Sequence, residues 1–207
     1  MIRRSLMLNW KEGISVDQKV RAKEGLAYLG YVCRIAAIDF GEDLGISVPS
    51  NFDLTVLHDH ADQDTLAAFD EDPDRARFED YLASVTRGEE TVRILWEYDG
   101  PPSQKGMVRH TAIFRWNDGV SATQKAEVLK LLYSQKDVMT WLRWFECRED
   151  VSGDSSNYDW VLEAHFDDVD GCLAYFNHPL HKEVSDLNHS LTQDDMTARV
   201  QHVMRMG

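Results

Sequence analysis

The sequence predicts an α+β protein in which one β-α-β-β-α-β domain is written twice. Three observations carry that expectation. The chain falls into register with itself, without a gap, when shifted by 106 residues. Each half opens on a stretch of period-two alternation followed by a helix-capping signal. A segment rich in Pro and Gly, Asp99 to Gly106, separates the halves. Trp10-Lys11-Glu12-Gly13-Ile14-Ser15 lies over Trp116-Asn117-Asp118-Gly119-Val120-Ser121, and Thr91-Val92-Arg93 lies over Thr197-Ala198-Arg199. A repeat of this length is a duplicated domain rather than a solenoid unit. The expected divisions are 1–98 for a divergent copy, 99–106 for the linker and 107–207 for the second copy.

The first strand of each copy alternates. Ile2, Arg4, Leu6, Leu8 and Trp10 oppose Arg3, Ser5 and Met7, and Val108, His110, Ala112, Phe114 and Trp116 oppose Arg109, Thr111 and Ile113. Apolar residues on both faces predict a sheet covered on both sides. Glu12-Gly13 and Asp118-Gly119 then turn the chain. Ser15 with Gln18, and Ser121 with Gln124, have capping-box spacing and predict helices of about 15 residues. Further strands are expected near 32–41 and 138–148, at 52–60 and 158–166, and near 91–98 and 196–204. A second helical region starts at Asp62 and Asp168 and is broken at Pro73 and Pro179. This is the split-βαβ, or ferredoxin-like, order. Its sheet carries helices on one face only, so the two copies are expected to bury their bare faces against each other.

The net charge of −14 disfavours nucleic acid and anionic membranes as partners. Cys33, Cys147 and Cys172 fit no metal or redox spacing, which predicts buried free thiols in a reducing compartment. With no signal-like or spanning stretch, a cytoplasmic protein is expected. No GxGxxG, Walker, GxSxG or HExxH motif occurs, so nucleotide, flavin and serine-hydrolase chemistry find no support and no cofactor is expected.

The second copy resembles the Dabb family, the stress-responsive A/B barrel or dimeric α/β barrel domain. The resemblance rests on Met107-Val108-Arg109-His110, Asp118-Gly119-Val120-Ser121, Asn157-Tyr158-Asp159 and Tyr175-Phe176-Asn177-His178-Pro179-Leu180-His181. It extends more weakly over residues 1–98. It implies two sheets packed into one barrel, normally by two chains and here within one chain, a pseudo-dimer able to pair further. One plant enzyme of this fold closes a polyketide by aldol condensation without metal or organic cofactor. His110, Tyr175 and His181 match its functional side chains in type, and the resemblance implies a proton-accepting role for His181 and a carbonyl-polarising one for Tyr175. His110 shares a strand face with Ala112, Phe114 and Trp116, and that face is expected to line the barrel. With Trp141 and Trp144 these residues would wall a site for a small apolar or aromatic molecule.

Other readings stand beside this one. His178-Pro179 has the form of a helix entry, so His181 could serve the first turn and Tyr175 the core. The protein would then be a stress-associated structural or interaction protein. Arg4, Phe69 and Arg75 replace the trio in the first copy, read here as surface drift or, if inward, as a grip for an anion. His58 and His60 share one strand face and could chelate a metal in a metal-dependent enzyme. Solvated histidines at a strand end are the simpler expectation.

Overall fold

In the computed structural model, which describes residues 1–33, 35–46, 52–88, 91–153 and 156–205, both halves have the predicted order. The last two residues of the second copy therefore lie outside the described residues. The first half runs β1 (Ile2–Leu8), α1 (Val16–Val32), β2 (Ala37–Glu42), β3 (Leu54–His60), α2 (Gln63–Asp70), α3 (Pro73–Val85) and β4 (Val92–Glu97). The second runs β5 (Val108–Phe114), α4 (Ala122–Val138), β6 (Leu142–Glu149), β7 (Trp160–Phe166), α5 (Val169–Asn177), α6 (Pro179–Leu191) and β8 (Ala198–Val203). The antiparallel sheets are ordered β2-β3-β1-β4 and β6-β7-β5-β8.

Residues that agree between the copies hold equivalent local geometry. Ser15 and Ser121 both complete capping boxes, each accepting a hydrogen bond from the backbone N–H of Gln18 or Gln124 at 3.3 Å. Gly13 and Gly119 turn the chain at φ +79° and +82°, where a side chain would be strained. The Trp10 and Trp116 N–H groups donate to Asp53 and Asp159 at 2.8 and 2.7 Å. Pro73 and Pro179 each stand at the first turn of a helix, capped by Asp72 and by His178. Such positions carry backbone constraints, which is why duplication left them alone.

The bare sheet faces meet as expected. Met7, Ile94, Trp96 and Tyr98 of the first half form one buried cluster with Ile113, Val161 and Val200 of the second. Two seams close the barrel. Leu44 and Phe52 donate backbone hydrogen bonds to the β8 carbonyls of Gln201 and Arg199, at 2.7 and 3.1 Å. Val151 donates to Leu95 of β4 at 2.8 Å. Both outer strand edges thus gain partners that a lone domain would leave unpaired. At the first seam a Cβ on Gly41 would lie 2.7 Å from the His202 Cβ, so only glycine permits that approach. The linker is docked: Ser103 donates to Asp39 at 3.1 Å and accepts from Arg109 at 3.0 Å.

A charged network is buried between the sheets. Arg3 forms a two-point contact with Asp59 at 2.6 and 2.7 Å and reaches Glu163 at 2.7 Å. Arg109 meets Asp39 at 2.6 Å, and its Nε lies 3.1 Å from Glu163. Glu163 is 0% exposed and also lies 2.7 Å from His165. Burial pushes the Glu163 carboxyl upward, but Arg109 and Arg3 more than offset it and hold the group well below the usual carboxylate range. The three cysteines are buried and free. No helix among the described residues is long and apolar enough to cross a membrane.

Candidate active site

The face carrying His110, Ala112 and Phe114 does not line the space between the sheets, as the sequence suggested. It faces the helices of its own half. Apolar residues occupy both faces of β5, so alternation fixes the two faces without saying which one meets the other sheet. Even-numbered residues pack with Val128 and Leu132 of α4, Tyr175 of α5 and Val184 of α6. Odd-numbered Arg109 and Ile113 face the first half.

Between β5, β8 and these helices lies a cavity of about 140 Å³. His110, Tyr175 and His181 all line it, with Ala112, Phe114, Leu132, Leu162, Asn188, His189 and Arg199 among its other walls. The Tyr175 ring lies 4.0 Å from the His181 ring and 6.2 Å from that of His110, centre to centre. Pro179 starts α6 and places His181 in its first turn, where Nδ1 reaches across to Gln135 Oε1 of α4 at 3.1 Å. Gln201 of β8 holds His110 Nδ1 at 2.8 Å. The Tyr175 hydroxyl is buried and makes no hydrogen bond of ordinary geometry among the described residues, although the Gln135 side chain on α4 stands close enough to act on it.

Burial lowers both ring pKa values. His110 falls to about 3, further depressed by His181 and Arg199, and His181 falls to about 4, with Arg199 again contributing. Both imidazoles are therefore neutral at pH 7. Burial raises the Tyr175 phenol far above its ordinary value, so it stays a hydrogen-bond donor.

Three tryptophans expected in the site stand outside its lining. Trp116 stacks on Trp160 at 5.1 Å. Trp141 precedes β6, packing 6.0 Å from His178. An irregularity between Leu142 and Trp144 resets β6, and Trp144 turns toward the first half, 5.4 Å from Tyr98 and 4.8 Å from His165.

In the first half other side chains occupy the equivalent positions. Arg4 is buried rather than drifted to the surface, in a two-point pair with Asp70 at 2.6 Å, and Arg75 pairs with Glu79 at 2.7 Å. His58 and His60 are buried too, each about 5 Å from the Phe69 ring, not solvated. Burial and the Arg4 charge lower them to about 3 and 4. That neighbouring guanidinium opposes a cation, and among the described residues no group of three His, Cys, Asp or Glu could hold a metal.

Sequence reasoning missed Gln135, Asn188, Gln201 and Arg199. A signal for three of them exists in the repeat. Where the second copy has Ala112, Gln135, Asn188 and Gln201, the first has Leu6, Leu29, Leu82 and Leu95. Leucine stands in one copy where a small or amide side chain stands in the other.

The model of the Stress responsive A/B Barrel Domain family, Dabb, matches residues 108–198. A Streptomyces coelicolor protein of unassigned function is 31% identical over 81 residues, spanning 37% of this chain and 80% of the relative. A Fusobacterium nucleatum structure, described as a candidate monooxygenase, aligns over 98% of this chain and 91% of its own with a TM-score of 0.66 and 10% identity. A Lactobacillus acidophilus structure with the same description aligns over 98% and 93%, at TM-score 0.59 and 9% identity. At such identities these two structures share the fold and nothing more. Those two alignments show the fold in both halves, and the family match covers nearly all of the second: the chain belongs to the stress-responsive A/B barrel (Dabb) family.

Proposed function

We propose that the second half binds a small apolar or aromatic molecule between β5, α5 and α6, and that His181 and Tyr175 perform cofactor-free acid–base chemistry on it. One observation carries the reading: a buried Tyr175 hydroxyl without a well-formed hydrogen bond among the described residues, close to two neutral imidazoles at the wall of an apolar cavity. A buried unpaired hydroxyl costs about 1–3 kcal/mol, and a ligand carbonyl oxygen removes that cost. The same hydrogen bond polarises the carbonyl and stabilises the enolate formed when a proton leaves the neighbouring carbon. His181, unprotonated at neutral pH, receives that proton, and Gln135 fixes the orientation of its ring. His110, anchored by Gln201, forms the opposite wall. The first half serves as the scaffold that completes the barrel.

Volume sets the ligand's scale. A cavity near 150 Å³ in another protein accepts benzene, so about 140 Å³ suits a body of about one ring. Ala112→Leu copies the first-half residue and should fill the space while leaving the fold intact. In calorimetric titrations with acetophenone, the native protein is expected to bind and the variant to lose at least tenfold in affinity. Deuterium loss from the acetophenone methyl, followed by NMR, should be accelerated by the native protein and fall by at least tenfold in Tyr175→Phe and His181→Ala. Equal binding by Ala112→Leu would refute the pocket. Unchanged exchange in both other variants would refute the chemistry.

A further inference from the structure

We propose that the natural occupant of this pocket is a small carboxylic acid with an aromatic or branched apolar body, its carboxylate held by Arg199. The inference rests on the pocket reading above and specifies its ligand. Arg199 stands on β8 in register with Ala112, and its guanidinium lies 5.9 Å from the centre of the Phe114 ring. One nitrogen bonds His189 Nε2 at 2.6 Å. Arg3, Arg4, Arg75 and Arg109, whose side chains are buried or half-buried, each have a carboxylate within ion-pair distance, whereas half-buried Arg115, which does not line the cavity, has none among the described residues. Among the described residues, Arg199, which does line it, has none either.

The surroundings do not supply that charge in another way. Asp194 contacts the far nitrogen of His189 at 3.2 Å and acts on Arg199 only through space. No Asp or Glu lines the cavity among the described residues. Burial keeps His110 and His181 neutral, so Arg199 is the positive group of this wall. A half-buried guanidinium without an anion bears a desolvation cost that a carboxylate removes through a charge-assisted fork. A single cation amid apolar walls matches one negative charge better than the two of a phosphate. Ring volume and head-group charge together describe an acid such as benzoate. In the first copy Arg93 takes the equivalent position and is exposed, so this receptor is confined to the second half.

Benzoate and benzamide have nearly the same shape and differ in charge, which makes them the probes. In titrations of the full chain, benzoate is expected to bind at least tenfold tighter than benzamide, and Arg199→Gln to abolish the preference while retaining benzamide. If Arg199→Gln does not fold, native protein at about 50 and 500 mM salt replaces it: benzoate affinity should fall and benzamide affinity hold. Equal affinities in the native protein, a preference that survives Arg199→Gln, or a salt-independent preference would overturn the carboxylate assignment and leave the pocket reading intact. Binding of neither probe would overturn both.

Discussion

Acidification from pH 7 to pH 5 is expected to destabilise the protein steeply, before most carboxylates titrate. Four buried imidazoles and the half-buried ring of His181 cause it. His58 and His110 are lowered to about 3, and His60, His165 and His181 to about 4, burial being the first cause in each. In the unfolded chain each returns to a pKa near 6.5. Between that value and the folded one the unfolded state binds more protons, so stability rises with pH and is lost as pH falls. The stability is fully present above about pH 6.5, and its loss grows on descent toward pH 4. Each ring contributes roughly 1 kcal/mol per pH unit. Together they can consume much of the 5–15 kcal/mol of a typical domain. Neighbours reinforce the trend: Arg4 and Arg75 face His58, Arg199 faces His110 and His181, and Arg109 and Arg3 face His165. Glu163 acts the other way on His165 but does not reverse it. Urea unfolding at pH 7, 6 and 5 measures the slope. A midpoint unchanged over that range would show that these rings are solvated.

Glu163→Gln is expected to cost about 3–5 kcal/mol, the usual penalty for breaking a buried ion pair. Glu163 stands between Arg3 and Arg109 with no exposure, so its neutralisation leaves two guanidiniums sharing Asp59 and Asp39 inside the barrel. Because Arg3 belongs to the first half and Glu163 to the second, the loss should open the interface between the sheets as well as lower the unfolding midpoint. The variant's denaturation curve checks the magnitude, and protection of the β1 and β5 amides from hydrogen exchange checks the place. A loss below about 1 kcal/mol would mean that water reaches the network.

The elements were legible because their signals are local. Alternation marks β1 and β5, capping boxes mark α1 and α4, and Pro73 and Pro179 divide the second helical region, all within a few residues of sequence. What the second face of each strand meets is not local. Arg3, Arg109 and Glu163 carry the composition of solvent-facing residues, and only the meeting of two sheets turns them into a buried network. The same ambiguity put the His110 face on the wrong side of its sheet. The trio His110, Tyr175 and His181 could be named from the family resemblance, and the structure brings the three to one cavity. Trp116, Trp141 and Trp144 could not be sorted from it, since stacking on Trp160 and the irregularity in β6 depend on partners distant in sequence.

Duplication explains the division of labour. In a dimer of identical chains both pockets must hold the same residues, whereas fusion lets one copy change alone. Leu6, Leu29, Leu82 and Leu95 give the first half apolar bulk where the second has Ala112, Gln135, Asn188 and Gln201. Arg4 pairs with Asp70 and Arg75 with Glu79 beside them.

Diffraction from crystals pressurised with xenon tests this one-sided cavity most directly, since xenon settles in apolar cavities of this size. The expected result is xenon between β5 and α6 in the second half, beside Phe114, Leu132 and Leu162, and none between β1 and α3 in the first. Xenon in both halves, or none at the second-half site, would contradict a single open pocket.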